Sequence, residues 1–266
     1  MTPDEQAKYQ RDFNRFQRRK ESLYSGKVNK AIRQQIKTFI ERYLGNPTNA
    51  TVIVFDTAPL VNVIREIYVD TGLTWGAKVY TGLNRELRRQ KAQMPIGLSE
   101  FLRDAILNYF DMDLLSDVSN INNTTRDNIL SALRMAAERG FGIDDTIALI
   151  YDVAIPVWRS RLIARTETVT AANQGAALAA AKTGISLNKI WISAVDNRTR
   201  HDHLLVNRTT IDFNEPFIVG GFPMMQPGDR GTKSQPTPAK EICNCRCTVG
   251  YEPKRDNNGR IVMVSQ

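Results

Sequence analysis

The sequence predicts a mainly α protein with a C-terminal α+β lobe of short strands and long loops. Three observations predict it. Apolar residues recur at helical spacing in successive blocks up to Lys182, and the alanine run Ala171–Ala181 has the highest helix propensity in the chain. Beyond Gly184 the pattern changes to short β-like runs punctuated by proline and glycine.

With 266 residues and 42% hydrophobic content, the chain can form one large domain or two small ones with a buried core. No apolar stretch approaches the roughly 18 residues a membrane span needs, and Met1–Lys20 is charged throughout. The expectation is a soluble protein made without a secretion signal and without a membrane partner.

In order along the chain, Pro3 to about Tyr43 is rich in Gln, Arg, Lys and Glu, with Phe13, Phe16 and Leu23 nearest to helical spacing. This predicts two basic helices broken near Ser25–Gly26. Gly45–Asn49 reads as a turn, and Val52–Phe55 as a short strand or a helix start. Asp56 or Thr57 before Ala58-Pro59 opens a helix, since proline in a first turn gives up no bonded N–H. Helices follow over Leu60–Asp70, Trp75–Gln93 and Ser99–Phe110, the last capped by Ser99. Asn120–Thr125 reads as a loop whose side chains cap a helix carrying Ile129, Leu130, Leu133 and Met135. Gly140-Phe141-Gly142 ends that helix, and Asp144 or Asp145 caps a short one over Thr146–Val153. The longest helix runs from Trp158 to about Lys182. After it, Lys189–Ala194 is β-like, Asp212–Gly221 is turn-rich, and Ile261–Val264 can add an edge strand to the lobe or to a neighbour. These patterns divide the chain into a basic helical region 1–44, a helical domain 45–118, a domain 119–251 and a tail 252–266.

Charge is unevenly placed. Of the formal +8, Met1–Leu44 supplies +6, from eleven basic and five acidic residues. Basic helices are ordinarily solvated faces, and the alternative is docking on an anionic partner. All three cysteines, Cys243, Cys245 and Cys247, lie within five residues, so they cannot staple distant parts of the fold as disulfides do in secreted domains.

Four pieces carry a resemblance. They are Ile163-Ala164-Arg165-Thr166-Glu167 with Asn173 and Gly175 downstream; Trp191; Asp196-x-Arg198-Thr199-Arg200-x-x-His203; and Asn244-Cys245-Arg246-Cys247. In this order and spacing they resemble the phage Mu F-like minor head proteins, over about Ser119–Tyr251. The resemblance implies a minor capsid protein of a tailed phage, made in the host cytoplasm and placed in the virion near the portal inside the head. It implies a role in head morphogenesis and in DNA packaging or delivery. Its implied partners are the portal protein, other head proteins and packaged double-stranded DNA. Arg11, Arg15, Arg18, Arg19 and Lys20 are the candidate contacts to portal or DNA. Where members of that family place a Leu-Asp-Gly turn after the histidine, this chain has Leu204-Leu205-Val206-Asn207-Arg208, and Asn207 is the residue best suited to a left-handed conformation there.

Two chemistries are open for the cysteine cluster. On a strand, alternation would point all three thiols to one side. There Cys245, Cys247 and His203, with Cys243 or His201 as a fourth, could hold zinc, although C-x-C-x-C splays ligands that C-x-x-C turns bring together. Small buried thiols beside a packed histidine are the other reading. A metal-dependent nuclease or toxin-like module is the alternative function, because His201-Asp202-His203 with Asn207 is similar to a histidine–asparagine–histidine metal site. With two histidines in all, the chain lacks enough for a base and a ligand set. No phosphate-cradling loop, nucleophile elbow or dinucleotide fingerprint is present, so the sequence reads as non-enzymatic. Arg165 and Glu167, two apart on a helix, point away from each other and need separate partners. The expected partners are in the Asp196-x-Arg198-x-Arg200 loop, clamping the long helix to the lobe.

Overall fold

The alanine-rich helix of this chain is buried along most of its length, on more than one side, so other elements have to pack around it. In the computed structural model, which describes residues 1–45, 55–89, 98–111 and 115–264, this helix is α6, Val157–Lys182. Before it come α1 (Pro3–Gly45), α2 (Ala58–Arg89), α3 (Leu98–Tyr109), α4 (Leu115–Arg139) and α5 (Ile143–Ala154). After it come β1 (Leu187–Ile192), the short helix α7 (His201–Leu205), β2 (Thr210–Asp212), β3 (Phe217–Val219), β4 (Phe222–Met224), the short helix α8 (Ala239–Ile242) and β5 (Thr248–Pro253). The mainly α body with a small C-terminal α+β lobe is the architecture the sequence predicts. No described helix is long and apolar enough to cross a membrane.

α2 and α6 pack along their length, and small residues set how close they come. A Cβ built on Gly175 would lie 2.6 Å from the Gly72 Cα, and one on Gly76 would lie 2.6 Å from the Gly175 carbonyl oxygen. Backbone meets backbone at this crossing. The same contact explains a departure from expectation: Leu60–Asp70 and Trp75–Gln93 are one continuous helix. The glycine costs about 1 kcal/mol of propensity, which the close packing offsets.

α1 is also unbroken, at 43 residues and about 65 Å. The predicted break near Ser25–Gly26 is absent because Tyr24 and Val28 are buried on either side and hold the helix to the body. Its buried stripe comprises Gln6, Gln10, Phe13, Gln17, Tyr24, Val28, Ala31, Ile32, Gln35, Ile36, Phe39 and Ile40. Glutamine stands at four of the positions where an apolar residue would announce a core face, so the helix is less solvated than its composition implies. Each of these amides donates: Gln6 to the Met1 carbonyl at 3.1 Å, Gln10 to the Arg246 carbonyl at 2.9 Å, Gln17 to Glu21 at 2.9 Å, and Gln35 to the Asp56 carbonyl at 2.9 Å.

Asn120–Thr125 is not a loop. It lies within α4, where Thr124 and Thr125 bond back to the carbonyls of Asn120 and Ile121, four residues earlier, at 3.0 and 2.9 Å. Buried Arg159 of α6 closes this corner by donating to Thr125 Oγ1 and to the Ile121 and Ala154 carbonyls. Gly140, at φ +64°, ends α4 as expected. α5 begins earlier than expected, with Gly142 as the residue before it, so Asp144 and Asp145 sit in its first turn instead of capping it. There they face the positive end of the helix dipole. The turn at 46–49, residues 52–54 of the short apolar run, the end of the predicted helix at 90–93 and the capping side chain of Ser99 lie outside the described residues.

The lobe is a three-stranded antiparallel sheet in the order β2-β1-β5, with Asn188 opposite Asp212 on one edge and Leu187 to Ile192 opposite Pro253 to Thr248 on the other. β3 and β4 form a separate hairpin. The Ile261–Val264 tail returns to the lobe: Met263 bridges Ile185, and Ser186 donates to the Val262 carbonyl at 2.8 Å. Two larger buried clusters hold the molecule together. One gathers Tyr24 to Ile40 of α1 with α2 to α5 and the start of α6; the other gathers Phe13, Trp75 and Val79 with α6 and the lobe. Both draw on residues from 1–44, 45–118 and 119–251, so none of those spans has either cluster to itself.

Candidate functional site

The residues of the four motif pieces converge where α6 meets the lobe. β1 ends in Trp191, which is fully buried and meets the rings of His203 and Phe217 edge-on, with centroids 5.5 and 5.3 Å apart. His203 sits in α7, a single turn fastened to β1 by the Ser193 hydroxyl, which donates to the His203 carbonyl at 2.5 Å. Asn207 accepts from the Ser193 N–H at 2.9 Å, and the left-handed residue of this turn is Arg208, at φ +66°, instead of Asn207. The asparagine side chain is committed to β1, and the conformation passes to its neighbour.

Cys243 to Cys247 do not form a strand. Cys243 is a helix cap, Asn244 adopts φ +62°, and β5 begins only at Thr248. The left-handed turn at Asn244 separates the thiols. Cys245 and Cys247 are buried and face one nitrogen, His203 Nδ1, at 3.6 and 3.5 Å. Cys243 is half-buried and stands apart, and His201 is exposed. Among the described residues, His203, Cys245 and Cys247 are the cluster whose ligand atoms, all within 4.8 Å of one another, could hold a metal ion.

On its far side, His203 Nε2 lies 3.1 Å from Glu241 Oε2, whose residue is 1% exposed. The sequence reading missed Glu241. Only its position four residues before Cys245 hinted at it. A hydrogen bond from Cys245 holds Cys247 well below the usual thiol range, with the His203 ring also favouring its thiolate, while the Cys245 thiol is pushed up.

Around this centre the charged motif residues are paired, but not as expected. Asp196 is held by Arg246 and lies 3.9 Å from Arg198, while Arg200 donates to the Cys243 carbonyl. The hydrogen bonds from Arg246 keep the Asp196 carboxyl below the usual carboxylate range. Neither Arg165 nor Glu167 reaches this loop. Arg165 instead grips Glu21 of α1 with two bonds of 2.6 and 2.8 Å and donates to Asn244 Oδ1 at 2.5 Å. Glu167 is buried, accepting from Arg230 at 2.9 Å and from the Tyr68 hydroxyl at 3.0 Å. The long helix is clamped, but to α1, α2 and the Arg230 loop, partners too far away in sequence for spacing to reveal.

Glu21 offers a test of that clamp. Burial alone would raise its carboxyl, yet the bonds from Arg165 and Gln17 outweigh burial and bring it below 4.5. Its stabilising contribution is therefore complete above pH 4.5 and is lost as pH falls through the lowered value. Glu21→Gln should cost about 2 kcal/mol at pH 7, and wild type and variant should converge in urea midpoint as the pH is lowered below 4.5. Parallel curves down to pH 3 would show that Glu21 does not carry the clamp.

Asn173 of α6 is fully buried and bonded at both ends of its amide. Its amide nitrogen is within 3.2 Å of the carbonyls of Val169, Pro227 and Cys247, and its oxygen accepts from Thr248 Oγ1 at 2.9 Å and the Val249 N–H at 3.2 Å. One side chain thus fixes both the 227 loop and the start of β5 against α6.

The comparisons with known proteins fall on the same region. Residues 127–250 match the family model described as phage Mu protein F like protein. The chain is 30% identical over 129 residues to minor head protein GP7 of Bacillus phage SPP1, covering 47% of this chain and 40% of that protein. It is 27% identical over 143 residues to the NAD(+)--arginine ADP-ribosyltransferase EFV of Enterococcus faecalis (strain ATCC 700802 / V583), covering 50% of this chain and 28% of that protein. The chain thus matches less than half the length of either curated relative. No solved structure matches it. The motif residues that meet around Trp191 and His203 lie inside the matched segment, and it is through residues 127–250 that the chain is similar to the phage Mu protein F-like family.

Proposed function

We propose that this chain is a minor head protein of a tailed phage, acting in head morphogenesis from a seat at the portal vertex inside the capsid. The observation that carries the reading is the family match over 127–250 together with the similarity to a minor head protein of phage SPP1. The geometry adds a surface suited to the role. Arg11, Arg15, Arg18 and Arg19 are exposed on the outer side of α1, whose other side is committed to the core; Lys20 is drawn inward to Asp70 at 2.6 Å. A row of guanidinium groups on a rigid helix suits an acidic portal surface or the phosphates of packaged DNA, and either contact weakens steeply with salt.

The experiment is co-expression with the portal protein of the same phage. Wild type should co-purify with the portal oligomer at low salt, and the variant with Arg11, Arg15, Arg18 and Arg19 all changed to Glu should lose at least ten-fold in affinity while keeping its helical signal. Undiminished binding by that variant removes α1 from the interface, and no association of the wild type with portal, DNA or other head proteins overturns the reading. The nuclease-like alternative is less well served by the structure. His203 is 1% exposed, with both ring nitrogens engaged, and has no face open to a phosphodiester. On the head-protein reading, purified protein with added divalent metal leaves plasmid DNA uncut.

A further inference from the structure

We propose that His203 Nδ1, Cys245 Sγ and Cys247 Sγ bind a zinc ion that locks the C-terminal lobe. The distances fit it. Zinc bonded at about 2.0–2.1 Å to nitrogen and about 2.3 Å to sulfur in a tetrahedron places nitrogen and sulfur about 3.6 Å apart. Here the two sulfurs lie 3.6 and 3.5 Å from the same nitrogen.

The bonding inventory points the same way. His203 turns its Nε2 to Glu241 at 3.1 Å, which leaves Nδ1 alone to face two sulfurs. A single N–H or lone pair serves one sulfur well and the other poorly, whereas a metal ion satisfies all three atoms at once. Glu241 is then the outer carboxylate that fixes the ring and makes it a stronger donor, the arrangement zinc-bound histidines commonly show. Glu241 is 1% exposed, and its other oxygen lies 3.5 Å from Lys240 Nζ, so a cation partners the carboxylate while it faces the ring. Next to the three ligands is a cavity of about 10 Å³, bordered also by Thr199 and Arg200. It has room for about one water, which supplies the fourth position.

The ion would join α7 to the loop before β5, two segments 42 to 44 residues apart with no strand pairing between them. Burial of all three ligands, at 1–2% exposure, closes the ion to substrates, so its contribution is to folding. This proposal stands independently of the role in the phage head.

The test begins with the full chain, purified without chelator and measured for metal by mass spectrometry. One zinc per chain is expected, released in step with modification of two thiols. The chelator-treated chain, titrated with cobalt(II), should give the visible bands of a tetrahedral site and the thiolate-to-cobalt charge-transfer band at one equivalent. Cys247→Ser should abolish both signals, Cys243→Ser should keep them, and Glu241→Gln should keep the metal with about 10- to 100-fold weaker affinity. If Cys247→Ser does not fold, the wild-type titration decides by itself. A folded wild-type chain with neither stoichiometric zinc nor a cobalt spectrum overturns the proposal, as does loss of metal from Cys243→Ser equal to that from Cys247→Ser.

Discussion

Gly175→Ala should lower stability by about 3 kcal/mol or more, a melting temperature drop of roughly 6–12 °C for a chain of this size. The added methyl group meets the Gly72 Cα and carbonyl carbon at 2.6 Å, and both belong to the backbone of a 32-residue helix. No side chain can turn aside, so the two helices must part along their length. Each neighbour of Gly175 then loses contact as well, because interiors packed to crystal-like density do not absorb a carbon atom. Two controls separate this cause from helix propensity, which favours alanine at all three sites. Gly72→Ala meets the movable end of Ile106 at 2.9 Å and the Ala171 carbonyl oxygen only at 3.2 Å, and should cost less. Gly26→Ala, on the exposed side of α1 with nothing within 4 Å, should gain about 0.5–1 kcal/mol. Calorimetry on the three variants gives the order. If Gly175→Ala is as mild as Gly72→Ala, the backbones do not meet as described.

Asn173→Ala should cost about 4 kcal/mol, because it leaves the Pro227 and Cys247 carbonyls, the Thr248 hydroxyl and the Val249 N–H buried without this partner. Asn173→Asp should be worse. It keeps the size but turns a donor into an oxygen against three carbonyl oxygens, in a position with no exposure to water. The damage should be local first. The Val249 amide should lose hydrogen-exchange protection in either variant while the β1 amide of Trp191, bonded to the Thr209 carbonyl at 3.1 Å, is less affected. Equal exposure of both amides would mean that Asn173 supports the whole lobe instead of one edge of it.

Legibility in the sequence followed how each residue is used. α6 was plain because its alanine run has the highest helix propensity in the chain and Gly184, at φ +68°, stops it. β1 was plain from its β-branched and aromatic run. α1 was harder to read, since Gln6, Gln10, Gln17 and Gln35 are buried for their hydrogen bonds and apolar counting gives them no weight. The Asn120–Thr125 stretch misled for the opposite reason: its side chains can cap a helix or bond back within one, and only Arg159, more than thirty residues later, makes the second choice pay. Within the candidate site, His203, Cys245 and Cys247 were identifiable as types, whereas their convergence depends on Asn244 taking a left-handed turn. Glu241 had only its nearness to Cys245 to mark it, and the partners of Arg165 and Glu167 could not be read at all. Glu21 and Arg165 are 144 residues apart, and nothing local in either segment refers to the other.

The glutamine stripe of α1 also bears on how the chain is made. Gln10 bonds a carbonyl 236 residues later, and Phe13 packs in the cluster that Val249 and Tyr251 complete. At about 5–20 residues per second, α1 leaves the ribosome some 10–50 s before its last partners exist. A leucine stripe exposed for that interval would invite association with other nascent chains. Amides remain hydrated or locally bonded while they wait, and that of Gln10 finds its carbonyl when the lobe arrives, so the cost of a weaker core is set against a helix that stays in solution until it is needed.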